Sequence, residues 1–148
     1  MPARFFTRFF SRLVSTLAAL LLAAGSGAAW ALVAIMLRGE AAWMALPAAV
    51  AAVVGAGGMV RAVRWQRALA AGLLCLMAAA IALYLQAGLL IAGGLGLDVF
   101  DVLATTGPEM AGALAHARLS ALEQAGILAC TLLAAGVAWW QARPRAAG

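Results

Sequence analysis

Four long apolar stretches alternate with short polar breaks along this chain, and none carries Asp, Glu, Arg, Lys or His in its interior; Glu123 stands at the edge of the fourth. Their bounds are about 13–37, 41–60, 68–95 and 121–140. A helix needs about 20 apolar residues to cross a hydrocarbon core of about 30 Å, and each stretch meets that length. The third is long enough to require tilt or to extend past the bilayer. The pattern predicts an all-α fold, an integral membrane four-helix bundle forming a single transmembrane domain over residues 1–148.

The polar breaks add finer elements. Phe5, Phe6, Phe9 and Phe10 beside Arg4, Arg8 and Arg12 predict a short amphipathic helix lying on the membrane surface ahead of the first stretch. The 96–120 connection alone has soluble character. Thr106-Gly107-Pro108-Glu109 has capping-box spacing with proline in the first turn. It predicts a short interfacial helix over about 107–117. With Val99, Phe100, Leu103, Met110 and Leu114 supplying apolar contacts, this piece would lie over the bundle as a lid. Ser120-Ala121-Leu122-Glu123 repeats the spacing before the fourth stretch. Pro47 is expected to kink the second helix.

Charge gives orientation. Of the ten basic residues, all arginine, eight lie in three flanks free of acids: Arg4, Arg8 and Arg12; Arg61, Arg64 and Arg67; Arg143 and Arg145. The five acids, Glu40, Asp98, Asp101, Glu109 and Glu123, share the two intervening connections with Arg38 and Arg118. Basic flanks stay in the cytoplasm, so both termini and the 61–67 loop are expected inside, and 38–40 and 96–120 outside. Trp65, Trp139 and Trp140 then fall at the inner boundary and Trp43 at the outer one, as interfacial anchors do. The net charge of +5 is therefore no nucleic-acid signature. Arg4, Arg8, Arg12, Arg61, Arg64 and Arg67 would meet anionic headgroups, each worth on the order of 1 kcal/mol near the surface.

Composition agrees: 67% of residues are hydrophobic and 10% charged, where a soluble domain carries roughly 25% charged residues. Alanine- and arginine-rich, lysine-free usage points to a bacterial cytoplasmic membrane and a GC-rich genome. A competing reading of the N-terminus is a cleavable signal peptide ending at Ala29-Trp30-Ala31, but the apolar run continues to Leu37, past the length of such a segment.

Candidate chemistry is sparse. Asp98, Asp101, Glu109 and His116 make an outer polar patch; Glu109, His116 and Glu123, seven apart, would align only on an unbroken helix. The patch lacks metal-ligand spacing, and a solvated polar face accounts for it. His116 and Ser120 lack the surroundings of a nucleophile. Cys75 and Cys130 are expected in opposite leaflets, about 10 Å apart in depth and hence unpaired. No cofactor is expected. Gln86 is the intramembrane side chain most costly to leave facing lipid, so it should point into the bundle or a partner. Gly88, Gly93 and Gly94 beside it mark a packing or partner face, although glycine and alanine are so common here that generic bundle packing explains them too.

The absence of buried charge argues against ion-coupled transport. The expected role is a non-catalytic accessory or assembly subunit, partnered by the bilayer and by another membrane protein or itself. The alternative is a small carrier or flippase for a lipid-like or neutral substrate passing Tyr84 and Gln86. A third, an enzyme using the outer polar patch, has least in its favour.

Overall fold

A computed structural model describes residues 3–37, 42–59, 63–107, 109–110, 112–113, 117 and 119–142; the side chains of 3–9, 12, 42 and 59 lie outside the description. The described residues are mostly helical, with no strand among them. The order is α1 (Ala3–Met36), a 3₁₀ turn (Ala42–Met44), α2 (Ala45–Met59), α3 (Arg64–Leu95), α4 (Val99–Thr105) and α5 (Ala121–Gln141).

Three helices, α1, α3 and α5, are long and apolar enough to cross a membrane. The second stretch falls short of its expected length. At 1.5 Å per residue the 15 residues of α2 rise only about 22 Å. It starts late because a tight turn over Ala42–Met44 precedes it. Pro47 thereby sits in the first turn of α2, where the missing N–H has no intrahelical partner to lose, and no kink is required.

One further expectation is corrected. The amphipathic N-terminal piece is not a separate surface helix, because α1 runs unbroken for 34 residues from Ala3. Nothing between Arg12 and Leu13 breaks it: no Gly or Pro occurs there, and the Ser15 hydroxyl is satisfied by the Ser11 carbonyl at 2.9 Å within the helix. In the 96–120 connection α4, at 99–105, is a helix that the sequence pattern did not predict. The helix expected over 107–117 lies partly outside the described residues; Glu109, Met110, Gly112, Ala113 and Ala117 are helical.

Local chemistry explains the breaks. Gly96 adopts the left-handed conformation (φ 66°), and its N–H and that of Leu97 both reach the Ala92 carbonyl, ending α3. Asp98 caps α4 by accepting from the Phe100 N–H at 2.8 Å, with Asp101 in the first turn favourably placed on the helix dipole. Ser120 and Glu123 form the expected capping box at the start of α5.

α3 is the hub. It packs against α1, α2, α4 and α5; α2 also packs against α1 and α5. The core between them is built from small residues at three- or four-residue spacing: Ala19 and Ala23 of α1, Ala48, Ala52 and Ala56 of α2, Ala71, Cys75, Ala78 and Ala82 of α3, Cys130, Ala134 and Ala138 of α5. Large apolar side chains lie outside instead, among them Leu21, Leu73, Leu122 and Leu132. A water-soluble core buries its leucines; this arrangement suits a lipid solvent, in which close backbone approach, not removal of apolar surface from water, holds helices together. Two glycines of α1 and α2 permit close approach to neighbouring helices. A Cβ on Gly27 would stand 2.5 Å from the Ala78 carbonyl oxygen, and one on Gly55 would stand 3.2 Å from Ala19 Cβ and 3.3 Å from Leu74 Cδ1.

Candidate functional site

Polar atoms are scarce among the described residues, so those that are engaged stand out. Tyr84 projects from α3 towards α4, where its hydroxyl donates to the Leu103 carbonyl at 2.6 Å and lies 3.0 Å from that of Thr106. Both carbonyls belong to the C-terminal end of α4, where carbonyls lack intrahelical donors. Gly88, one turn further along α3, provides the space for Leu103: a Cβ there would collide with the leucine side chain. Val102 and Thr106 are buried against the same surface. Tyr84 and Gly88 together latch α4 onto α3. α4 packs against α3; the rest of the expected lid, about 107–117, lies partly outside the described residues.

We expect Tyr84→Phe to weaken this latch by about 1 kcal/mol, the usual scale of an interhelical hydrogen bond in membrane proteins. Hydrogen exchange should then quicken at the amides of 99–106 while the α1 and α2 amides keep their protection.

The opposite end of α3 has one further polar tie. The Arg67 Nη2 donates to the Gly57 carbonyl at 3.0 Å, satisfying an orphan carbonyl in the last turn of α2. Its Nε is buried without a hydrogen-bond partner. Arg67 thus spends part of its guanidinium on helix packing in addition to any headgroup contact. Arg64 is half-buried, and Trp65 is exposed. The backbone at Arg4, Arg8 and Arg12 is helical, but their side chains, Arg61 and the 143–145 flank lie outside the described residues.

The other singled-out residues separate. Gly93 and Gly94 face open space at the Gly96 end of α3, with nothing within 4 Å of an added Cβ. Gln86 is half-buried and makes no hydrogen bond among the described residues. Asp98 is committed to its cap, Asp101 and Glu109 are exposed, and His116 lies outside the described residues. Among the described residues no group of three or more His, Cys, Asp or Glu could hold a metal ion.

Cys75 and Cys130 are free and buried, but they are not at different depths. Thr131 Oγ1 lies 3.8 Å from Cys75 Sγ, which places Cys130 level with Cys75. The helix bounds explain the error. α3 begins at Arg64 and α5 ends at Gln141, so Cys75 is eleven residues beyond one end and Cys130 eleven before the other. No local pattern along the chain marks the Tyr84 latch or the Arg67 cap; both depend on carbonyls of a neighbouring helix, which no side-chain pattern reveals.

No protein-family model, no curated protein and no solved structure matches this chain.

Proposed function

We propose that the chain is a four-span protein of a bacterial cytoplasmic membrane, with both termini inside, serving as a non-catalytic accessory or assembly subunit of a membrane complex. The fourth crossing is α2. Its 15 residues plus the 3₁₀ turn, which rises about 2 Å per residue, reach about 28 Å, close to the hydrocarbon thickness. A non-crossing α2 would put Arg61, Arg64 and Arg67 on the outer side, against the charge rule.

The observation that carries the role is the dry, alanine-lined interior. Its buried polar inventory among the described residues is Thr106 alone, and that residue is the C-cap of α4. The Tyr84 hydroxyl, the best candidate to line a substrate path, is committed to α4. What remains available is surface. Gly93 and Gly94, flanked by exposed Leu90 and Leu95, form a low ridge onto which a partner's helix would pack closely. Gly93→Leu with Gly94→Leu should dissociate the complex recovered in gentle detergent without changing the thermal midpoint of the isolated chain. Intact assembly in the double variant would remove this face from consideration.

One observation keeps the carrier as a second reading: Gln86 lacks a hydrogen bond among the described residues. Transport by proteoliposomes that is lost in Gln86→Leu would favour it; transport unaffected by that change would exclude the path.

A further inference from the structure

We infer that the turn joining α3 to α4 stands clear of the outer membrane face as an apolar tip with an acidic edge, and that this tip docks into a basic-rimmed apolar groove on the outer part of a partner membrane protein. The inference rests on the four-span reading and on the accessory role, for which it names the partner's chemistry. Helix register gives the depth. α5 runs antiparallel to α3: Thr131 Oγ1 is 3.8 Å from Cys75 Sγ, and a Cβ on Gly72 would stand 3.9 Å from Ala135 Cβ. Ala121, ten residues before Thr131, is therefore level with Leu85. α2 gives the same level independently. It too is antiparallel to α3, with the Gly57 carbonyl bonded to Arg67 and the Cβ position of Gly55 3.3 Å from Leu74 Cδ1, so its first residue, Ala45, is level with Tyr84. The 21 residues of α5 rise about 31 Å, the thickness of a hydrocarbon core, so the outer edge of the core falls near Leu85.

α3 does not stop there. It continues ten residues further, to Leu95, a rise of about 15 Å, of which the headgroup layer takes up only about 5–7 Å. Leu95, Leu97 and Phe100 at the far end are therefore in water, and the chain does not cover them: Phe100 is 82% exposed. Large apolar side chains gathered at a tip in water mark a protein contact. Depth thus sets this tip apart from the exposed leucines lower on α3 and on α5, which face lipid. Charge selects among proteins. Asp98 and Asp101 are exposed beside the apolar residues, and no Lys or Arg occurs between Arg67 and Arg118. The Asp98 carboxylate accepts from the Phe100 N–H at 2.8 Å, which fixes the turn that presents Leu97 and Phe100. A second copy, held at the same depth, would set acidic tip against acidic tip, a repulsive pairing; a groove with a basic rim is complementary.

The test is the labelling rate of Phe100→Cys with a membrane-impermeant maleimide in two settings: the chain alone in nanodiscs of phosphatidylcholine and phosphatidylglycerol, and the chain in spheroplasts of its native cell. Cys75 and Cys130 are buried and stay silent. Gly25→Cys, exposed on α1 within the bilayer, should label in neither setting. We expect rapid labelling of Phe100→Cys in nanodiscs and labelling at least about tenfold slower in spheroplasts. Adding Asp98→Asn with Asp101→Asn, which keeps a capping side chain at 98, should restore the rapid rate in spheroplasts, as should salt at about 0.5 M. No labelling in nanodiscs overturns the inference, because the tip then lies in lipid. Equal rates in the two settings overturn it too, because nothing covers the tip, and protection that survives both the Asn pair and the salt overturns the basic groove. Gentle-detergent extraction of the same spheroplasts separates this inference from the accessory role. A complex recovered intact while Phe100→Cys labels freely sinks the docking tip alone; the absence of any complex sinks the accessory role with it.

Discussion

Replacing Gly27 with leucine will separate α1 from α3 and cost about 3 kcal/mol or more, the upper end of overpacking penalties. The atom in the way is not a side-chain tip that can rotate aside but the Ala78 backbone carbonyl, 2.5 Å from where a Cβ would stand, with Ile81 Cβ at 3.1 Å. Relief requires shifting a whole helix in the hub of the structure, and the Ala19 and Ala23 contacts on the same α1 stripe would open with it. Gly25 supplies the control. It lies two residues earlier in the same helix, with nothing within 4 Å of an added Cβ, so Gly25→Leu should be nearly neutral. Thermal midpoints in one detergent would compare the two. Equal losses would mean that close approach to α3 does not set the cost at Gly27.

The second large effect is expected at Trp30, the bulkiest residue in an otherwise alanine-rich core and only 4% exposed. In a water-soluble core, Trp→Ala costs about 3–5 kcal/mol, part of it transfer from water and part the cavity left behind. In lipid the transfer part largely disappears, because the separated helices still face hydrocarbon. The cavity part remains, so we expect Trp30→Ala to cost about 2–3 kcal/mol. Trp140→Ala, at a residue 64% exposed, should cost much less. Equal midpoint shifts would show that tryptophan matters here by contact with lipid instead of by packing.

Sequence pattern made the class of fold legible for a simple reason: lipid imposes long uncharged runs, and few soluble structures imitate them. The capping box at Ser120 and Glu123 was equally legible, because its four residues are contiguous and act on their own backbone. Helix ends set by interactions elsewhere were harder. α3 takes in Arg64 and Arg67, whose charges suggested a loop, because Arg67 finds its partner on α2. Moving that one boundary shifts Cys75 deeper and accounts for its levelling with Thr131. The faces of the helices were least legible. With alanine at nearly every spacing, the pattern does not distinguish Gly27 and Gly88, which admit a neighbour, from Gly93 and Gly94, which admit none. α4 was missed as a helix because its cap, Asp98, and its acidic first turn resembled a metal or solvent patch.

The most direct test of the account is topology. A periplasm-active phosphatase fused after residue 40, 62, 106 or 148, with a cytoplasm-active fluorescent reporter at the same sites, reads each connection in turn. Four crossings with both termini inside predict phosphatase activity at 40 and 106 and fluorescence at 62 and 148. Phosphatase activity at 62 would contradict the account: α2 would then not cross the membrane, and the arginines at 61–67 would face outwards.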